Sequence, residues 1–299
     1  MTAAPVVSRV RLRFTKTGKI RWTSHRDVAR MWERAFRRVG LPLAYSAGFS
    51  PRPKVSFGLA LPTGHESVAE YLDIELSAVP PDLDDMMAGC SAALPVGVDV
   101  TAAALIEPRT SSLQESVASC TWRWAAVPAL PPLPGAGDSV APGQPVVIGH
   151  GSIDAAPVVV ADIQAAVARL LAASEVIVTR RRKGTEVVED IRPSIEGLRV
   201  AEMPPGDDDG IEVWLEADLA TQPRSIRPIE VLRALDPALD ERHVCRLHQW
   251  ILRDGARHEP LISTGDRSGR RSASGGRSSP AEAGSVAATD APHVLGRAS

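Results

Sequence analysis

The sequence predicts an α+β protein made of two tandem ferredoxin-like units followed by a disordered C-terminal tail. A length of 299 residues allows roughly two domains. Short alternating apolar runs and segments of helical period follow one another in the order β-α-β-β-α-β, and this order then recurs. The first unit is predicted at 1–110, the second at 111–254 with a Pro/Gly-rich insert at 128–157, and the tail at 255–299.

The first unit begins with a predicted strand at about 9–15. Arg9, Arg11 and Arg13 share one face of this strand, because successive strand side chains alternate between faces. A solvated polar face would explain these arginines without any ligand. The remaining elements are a strand at 19–22, a helix at 24–39, extended runs at 43–45, 55–61 and 68–76, a helix at 82–94, and a strand at 97–106.

The helix at 24–39 has clear start and stop signals. Ser24 is placed to act as its N-cap, with Asp27 three residues later, and Gly40 is suited to the position just after its end. Apolar residues recur at helical spacing on one side. The arginines at positions 26, 30, 34 and 37 fall on the opposite side.

The second unit shows weaker patterns, and a low-complexity segment follows it. Beyond Gly255 the chain reads RSGRRSASGGRSSPAEAGS, a composition typical of disorder. The predicted elements are a strand at 116–127, a helix at 161–173, strands at 175–179 and 185–191 around a tip at 180–184, a strand at 210–217, a helix at 228–235 and a strand at 243–252.

The composition bears on where the protein is located and on whether it holds a cofactor. The longest apolar runs are too short to span a bilayer, and the N-terminus has no apolar core of signal-peptide type, so a cytoplasmic protein is expected. The three cysteines are isolated from one another, which predicts neither a disulfide framework nor a zinc or iron–sulfur site. We therefore expect no metal and no cofactor.

Positive charge is concentrated between Arg9 and Lys54. This stretch holds thirteen basic residues and two acidic ones, in a chain whose formal net charge is −2. Cations beside flat apolar rings suit a phosphate backbone with stacked bases. An ordinary solvated helix face is the alternative for any single arginine. The interleaved aromatic residues are Phe14, Trp22, Trp32, Phe36, Tyr45 and Phe49.

Two further basic features extend the predicted site for RNA or another anion. The loop GFSPRPK at 48–54 is stiffened by two prolines, and the tip RRRKG at 180–184 ends a hairpin. A stiff connection and a solubilising tip are the alternative explanations. The predicted nucleic-acid-binding or anion-binding residues are Lys19, Arg21, Arg26, Arg30, Arg34, Arg37, Arg52, Lys54, Arg181, Arg182 and Lys183.

No complete catalytic motif is present. The chain has no P-loop, no GxGxxG after a strand, no GxSxG and no HExxH. His25, at the start of the basic helix, is the best single candidate for a general base acting on an RNA 2′-hydroxyl. Its alternative role is packing against the apolar side of the helix.

Motifs in the basic stretch resemble those of the radical-SAM-linked family, a bacterial domain of unknown function. They are K-I-R, S-H-x-D, R-R-x-G-L-P, Y-S-x-G-F-x-P-x-P-K and E-Y-x-D-I-E. The match covers about 9–110 and, through the segment DIRP at 190–193, extends to about 250. Members of that family are encoded beside, or fused to, a radical-SAM protein. The resemblance thus implies a partner, and the missing CxxxCxxC argues against this chain being the radical enzyme.

Together these observations predict an RNA-binding accessory protein that works with a radical-SAM enzyme, in tRNA or rRNA modification. Two other functions stay open at this point. One is a metal-independent endoribonuclease that uses His25. The other is a protein–protein adaptor for the radical-SAM partner that does not bind RNA.

Overall fold

The computed structural model describes residues 6–107, 110–129, 160–182, 184–204 and 212–261, which all lie in one compact unit at 1–264. It is a mixed α+β structure with a large, mostly antiparallel sheet and few helices. The elements of the first half are β1 (Ser8–Lys16), α1 (His25–Val39), β2 (Val55–Phe57), β3 (Glu66–Leu76), α2 (Leu83–Ala93) and β4 (Val100–Ile106).

The second half begins with a short helix that leads directly into a long strand. Its elements are α3 (Leu113–Ser116), β5 (Val117–Pro128), α4 (Val160–Ala172), β6 (Ile177–Arg182), β7 (Thr185–Asp190), β8 (Ile195–Val200), β9 (Val213–Ala220), α5 (Pro228–Leu235), β10 (Leu239–Arg253) and β11 (Ala256–His258).

Nine of the described strands form one sheet that runs through both halves. Its order is β4-β1-β3-β10-β5-β9-β8, with β2 also paired to β3 and β11 to β10. The pairing of β3 with β10 is parallel and joins the halves, and the other described pairs of this sheet are antiparallel. Strands β6 and β7 form a separate two-stranded sheet.

Each half buries its own apolar core between helices and sheet. In the first half the apolar side of β1 packs against α1, where the rings of Phe14 and Trp32 meet edge to face with centroids 5.0 Å apart. In the second half Trp122 and Trp124 of β5 lie in a cluster with α4 and α5. Burying side chains of this size stabilises a fold by about 1.5–3 kcal/mol each, so these contacts fix where the helices lie.

Several predicted elements are confirmed, and others are corrected. Helix α1 starts and ends within one residue of the prediction, and α4 and α5 occupy the predicted positions. The predicted strand at 19–22 is instead a 3₁₀ helix, Gly18–Trp22. The buried ammonium of Lys16 donates to the carbonyls of Arg21 and Thr23 at 3.2 and 3.0 Å, which stabilises the turned backbone.

In the second half the sequence analysis missed a strand of the main sheet. The predicted strands at 175–179 and 185–191 do form a hairpin, β6 and β7, but this hairpin lies outside the main sheet. The place beside β9 is taken by β8, which was not predicted. The predicted insert at 128–157 falls almost entirely outside the described residues.

The predicted start of the tail at 255 is too early. Strand β11 pairs with β10 just after that point, the carboxylate of Glu259 contacts Arg13, and the carbonyl of Pro260 accepts a hydrogen bond from Arg11. The chain is therefore packed against the sheet as far as Leu261, and the rest of the predicted tail lies outside the described residues. In the described part, no helix is both long and apolar enough to cross a lipid bilayer.

Candidate nucleic-acid interface

Helix α1 is held in one orientation by its caps and its buried side. The Oγ of Ser24 accepts from the backbone N–H of Asp27 at 3.2 Å, and Gly40 ends the helix with a φ of 73°, a conformation that glycine adopts without steric cost. Four side chains on one side are buried, namely Val28, Trp32, Ala35 and Phe36.

The opposite side of α1 carries the predicted arginines, and all of them are exposed to solvent. Arg30 contacts Asp27 at 3.5 Å with both side chains about half exposed, and among the described residues Arg37 donates to a carbonyl of its own helix alone. Exposed pairs of this kind contribute about 0–1 kcal/mol. Arg26 and Arg34 have no ion pair with any described residue, so this side of α1 keeps its positive charge.

Hydrogen bonds close the base of the loop at 44–54, which follows α1. The backbone N–H of Lys54 donates to Ala44 at 2.9 Å, and that of Ser46 donates to Arg52 at 2.9 Å. The Oγ of Ser46 accepts from the N–H of Arg52 at 3.0 Å. Gly48 has a φ of 126°, which a side chain would strain. The loop is therefore an ordered projection.

The two cations of this loop differ in their surroundings. Arg52 is exposed, and its side chain makes no ion pair among the described residues. The ammonium of Lys54 lies 2.9 Å from the carboxylate of Glu75 on β3 and is only partly exposed. Arg52 is thus the cation of this loop that is free to meet an anion.

The other end of α1 presents a tryptophan and more cations. Lys19 is exposed, whereas Arg21 pairs with Glu66 on β3 at 3.0 Å and lies 5.3 Å from the ring centre of Trp22. The ring of Trp22 lies against Gly64, where an added Cβ would come within 3.0 Å of it. The indole is still 64% exposed.

The second predicted basic feature, the hairpin tip, belongs to the other half of the chain. In the register of β6 and β7, Arg181 is opposite Glu186 and Arg182 is opposite Thr185, and Lys183 falls outside the described residues. Arg180 pairs with Glu189 at 3.3 Å. The hairpin is a two-stranded sheet of its own, whereas α1 packs on the strands of the first half.

His25 is exposed at the first residue of α1 rather than packed into the apolar side. Its ring meets that of Phe57 edge to face at 5.1 Å, beside a small cleft that Lys16 and Glu70 also line. No described residue hydrogen-bonds the imidazole. In nucleophile–base pairs a third group orients the base by a hydrogen bond, and His25 has no such hydrogen bond from the described side chains.

The face of β1 that carries Arg9, Arg11 and Arg13, for which a solvated polar surface was one explanation, is largely buried and ion-paired. Arg11 is 2% exposed, and its Nε and Nη2 donate to the two carboxylate oxygens of Asp73 at 2.6 and 2.9 Å. Arg9 reaches the same carboxylate at 2.6 Å, and Arg13 pairs with Glu259 at 3.3 Å. A solvated face therefore does not explain these arginines, because Asp73 of β3 and the segment at 259–260 contact their side chains.

A second buried ion pair joins the two halves of the sheet. Arg246 of β10 pairs with Glu70 of β3 at 2.8 Å, and its guanidinium lies 5.1 Å from the ring centre of Trp122. Such a pair is strongly destabilising to break, because either partner alone would be a buried charge. Sequence patterns gave one signal for it, since Glu70 is the charged exception on the apolar side of its strand.

The cysteines show no arrangement suited to a metal. Burial raises the pKa of the Cys90 and Cys120 thiols to about 11 each, and that of Cys245 to about 12. A raised pKa keeps the free thiol protonated at neutral pH. Among the described side chains, no group of three or more His, Cys, Asp or Glu is placed to hold a metal ion.

Comparisons with known proteins identify a family but no activity. No curated protein matches the chain. One similar solved structure is described as a crystal structure of a Cbf5-Nop10-Gar1 complex, with 10% identity and a TM-score of 0.40 over 80% of this chain and 48% of that chain. At that TM-score the likeness supports no conclusion. The family described as "Uncharacterized protein conserved in bacteria (DUF2344)" matches residues 9–228, well over half of the chain, so the chain belongs to this family.

Proposed function

We propose that this protein binds RNA through the outer side of α1 and serves as a cytoplasmic accessory protein to a radical-SAM enzyme that modifies tRNA or rRNA. The observation that carries the RNA-binding part is the row of exposed arginines on α1. Arg26 and Arg34 have no carboxylate partner among the described residues. Cations in this state bind phosphates favourably, because each contact releases condensed counterions from the nucleic acid.

The rigidity of the surface supports this proposal. Helix α1 is anchored by its buried side, and the loop at 44–54 is closed by backbone hydrogen bonds. Binding to a surface that is already ordered loses little conformational entropy. Arg52 projects from this loop and offers a planar fork that matches two phosphate oxygens.

The fold itself is proposed to be two copies of one unit. Strand order in the first half is β4-β1-β3-β2 and in the second half β10-β5-β9-β8. Each is the antiparallel 4-1-3-2 order that a βαββαβ chain produces, with β6 and β7 inserted in the second copy. The predicted boundary near 110 would separate the two units.

The radical-SAM partner is proposed from the motif resemblance alone. In the structure those motifs lie close together: S-H-x-D caps α1 at Ser24, R-R-x-G-L-P ends it at Gly40, and Y-S-x-G-F-x-P-x-P-K forms the following loop. The motif E-Y-x-D-I-E is part of β3, whose Glu75 pairs with Lys54 of that loop. A partner that recognises these motifs would contact α1 and its surroundings.

The test is a charge reversal on α1 with a matched control. Arg26→Glu combined with Arg34→Glu should weaken RNA binding strongly at low salt and reduce the slope of log affinity against log salt by about one per lost phosphate contact. The control combines Arg169→Glu on α4 with Arg233→Glu on α5. Both are exposed helical arginines without an ion pair among the described residues, so the control makes the same change in net charge.

The outcomes separate the proposed functions. Equal losses in the two double variants would show that net charge, rather than α1, governs binding, and would remove α1 from the interface. Cleavage of labelled RNA that disappears in His25→Ala would favour the endoribonuclease. Capture of the radical-SAM protein by a chain that binds no RNA would favour the adaptor.

A further inference from the structure

Large aromatic side chains are exposed in the two segments that precede and follow α1 in the chain. Trp22 lies three residues before the helix begins, and Phe49 lies at the tip of the loop at 44–54 that follows it. Both belong to the few large apolar side chains of the described chain that remain exposed. The 15 residues of α1 span about 22 Å at 1.5 Å per residue. The row of arginines therefore runs between two segments that each expose an aromatic ring.

Phe49 is fully exposed although its loop is well ordered at the base. The backbone hydrogen bonds from Ser46 to Arg52 and from Lys54 to Ala44 close the base of the loop, and the ring of Phe49 is not buried against the core. Tyr45, at the base of the same loop, is also exposed. Leaving such a ring in water forgoes about 1.5–3 kcal/mol of burial, which a bound partner would recover.

The ring of Trp22 is held by neighbouring residues and is still largely exposed. Gly64 lies against one side of the indole, and the guanidinium of Arg21 lies 5.3 Å from its centre. Glu66 in turn holds Arg21 at 3.0 Å. These contacts fix the ring in position while 64% of the residue stays in solvent. A fixed, exposed ring next to a cation is the arrangement that nucleic-acid bases stack on.

We infer that the RNA bound by this surface is single-stranded, with unpaired bases stacked on Phe49 and Trp22 and phosphates along α1. This inference rests on the proposed RNA binding and names the class of RNA. Bases inside a duplex are already stacked on their neighbours and have no free face. A base can cover Phe49 or Trp22 only when it is unpaired, as in a loop, a bulge or a single strand.

The experiment compares two probes and three single variants. The probes are a 12-nucleotide single-stranded RNA and the duplex that it forms with its complement. Phe49→Ala and Trp22→Ala should each weaken binding of the single strand by about 5- to 150-fold, the equivalent of about 1–3 kcal/mol per stacked base. Leu252→Ala is the control, because it removes an exposed apolar side chain from the second half.

Two additions keep the result interpretable. Phe49→Trp and Trp22→Phe retain a ring and should retain most of the affinity for the single strand. Circular dichroism on the same samples separates loss of binding from loss of fold. Duplex binding, which uses the phosphates alone, should change by less than about twofold in the alanine variants.

Each failure has its own signature. If the unmodified protein binds neither probe, the proposed function falls and this inference falls with it. If it binds both probes equally and the alanine variants behave like Leu252→Ala, RNA binding stands and single-strand stacking is overturned. If Phe49→Ala leaves RNA binding intact but abolishes binding of the radical-SAM protein, the loop contacts protein, and the inference is likewise overturned.

Discussion

Strand β1 and helix α1 carry the same kind of residue in opposite surroundings. Arg9 and Arg11 of β1 are 9% and 2% exposed and share the carboxylate of Asp73. Arg26 and Arg34 of α1 are exposed and have no ion pair with any described residue. Both sets come from one basic stretch of the sequence, yet the first set stabilises the fold and the second is available to a ligand.

The difference comes from strand β3, which supplies the carboxylates. The register of β1 and β3 places Arg11 opposite Asp73, and the acidic residues at the two ends of β3 neutralise Arg21 and Lys54. No strand of the described residues lies beside the outer side of α1. Counting charges along the chain therefore overstates the charge available to a partner, and the surplus remains chiefly on the helix.

The largest effect is expected from removing the carboxylate of Asp73 that the arginines of β1 share. Asp73→Ala would remove the carboxylate that two buried guanidinium groups share, which should lower the free energy of unfolding by about 3–5 kcal/mol. Arg34→Ala, which removes an exposed side chain of α1, should leave the unfolding midpoint near that of the unmodified protein. Chemical denaturation followed by circular dichroism measures both.

An Asp73→Ala variant as stable as Arg34→Ala would show that the β1 arginines are solvated after all. In that case both sets would have to be regarded as candidates for RNA binding. RNA affinity, measured below the unfolding transition, would then decide whether Arg9 and Arg11 contribute.

The contrast also explains which features were predictable from sequence. Helix α1 was predicted because its signals are local: Ser24, Gly40 and the apolar spacing lie within seventeen residues. The pairing of Arg11 with Asp73 spans 62 positions and depends on which strands are neighbours, which no local pattern indicates. Strand β8 was missed for a related reason, since Gly197 weakens its pattern and the run at 175–179 has stronger strand propensity.

Sequence patterns identified the basic residues of the candidate interface but not the exposed ring of Trp22. The exposed arginines of α1 and Arg52 were identified because helical spacing and a proline-stiffened loop are visible in the sequence. Trp22 is one of the aromatic residues interleaved with the basic stretch, but the sequence does not place it in the predicted site, because exposure of a ring depends on its tertiary neighbours. Here Gly64, 42 residues further on, positions it.

A smaller effect is expected from shortening the chain at its C-terminus. Ending the chain after Gly255 removes β11, the Glu259 partner of Arg13 and the Pro260 carbonyl that accepts from Arg11 at 3.0 Å. A buried donor left without its acceptor costs about 1–3 kcal/mol, so the thermal midpoint should fall by several degrees.

Ending the chain after Leu261 is the matched control, because it keeps every one of these contacts. Its midpoint should equal that of the full chain. Equal midpoints for the two truncations would mean that the segment at 256–261 adds nothing to stability, and that β3 alone neutralises the β1 arginines.

The smallest expected effect concerns Lys16 and Lys19, which lie on either side of the end of β1. Lys16 is 3% exposed, and burial lowers the pKa of its ammonium, although nearby Glu70 opposes and Arg246 adds to this shift. In the pH range between this lowered value and the unfolded value near 10.5, the unfolded chain binds more protons than the folded one. The free energy of unfolding contributed by Lys16 must therefore rise with pH in this range.

Lys16→Met should remove that rise, so the stability of the unmodified protein relative to this variant should increase as pH approaches 10.5. The three thiols, whose pKa values are raised, reduce stability above about pH 9 in both proteins, and their contribution cancels in the difference. Lys19→Met is the matched control, since it removes one exposed lysine from the next segment. Denaturation between pH 8 and pH 11 measures how the free energy of unfolding depends on pH for the unmodified protein and the two variants. If the stability difference between the unmodified protein and Lys16→Met does not change with pH, the Lys16 ammonium is hydrated in the folded protein. The contrast between buried cations on β1 and exposed cations on α1 would then not include Lys16, the last residue of β1.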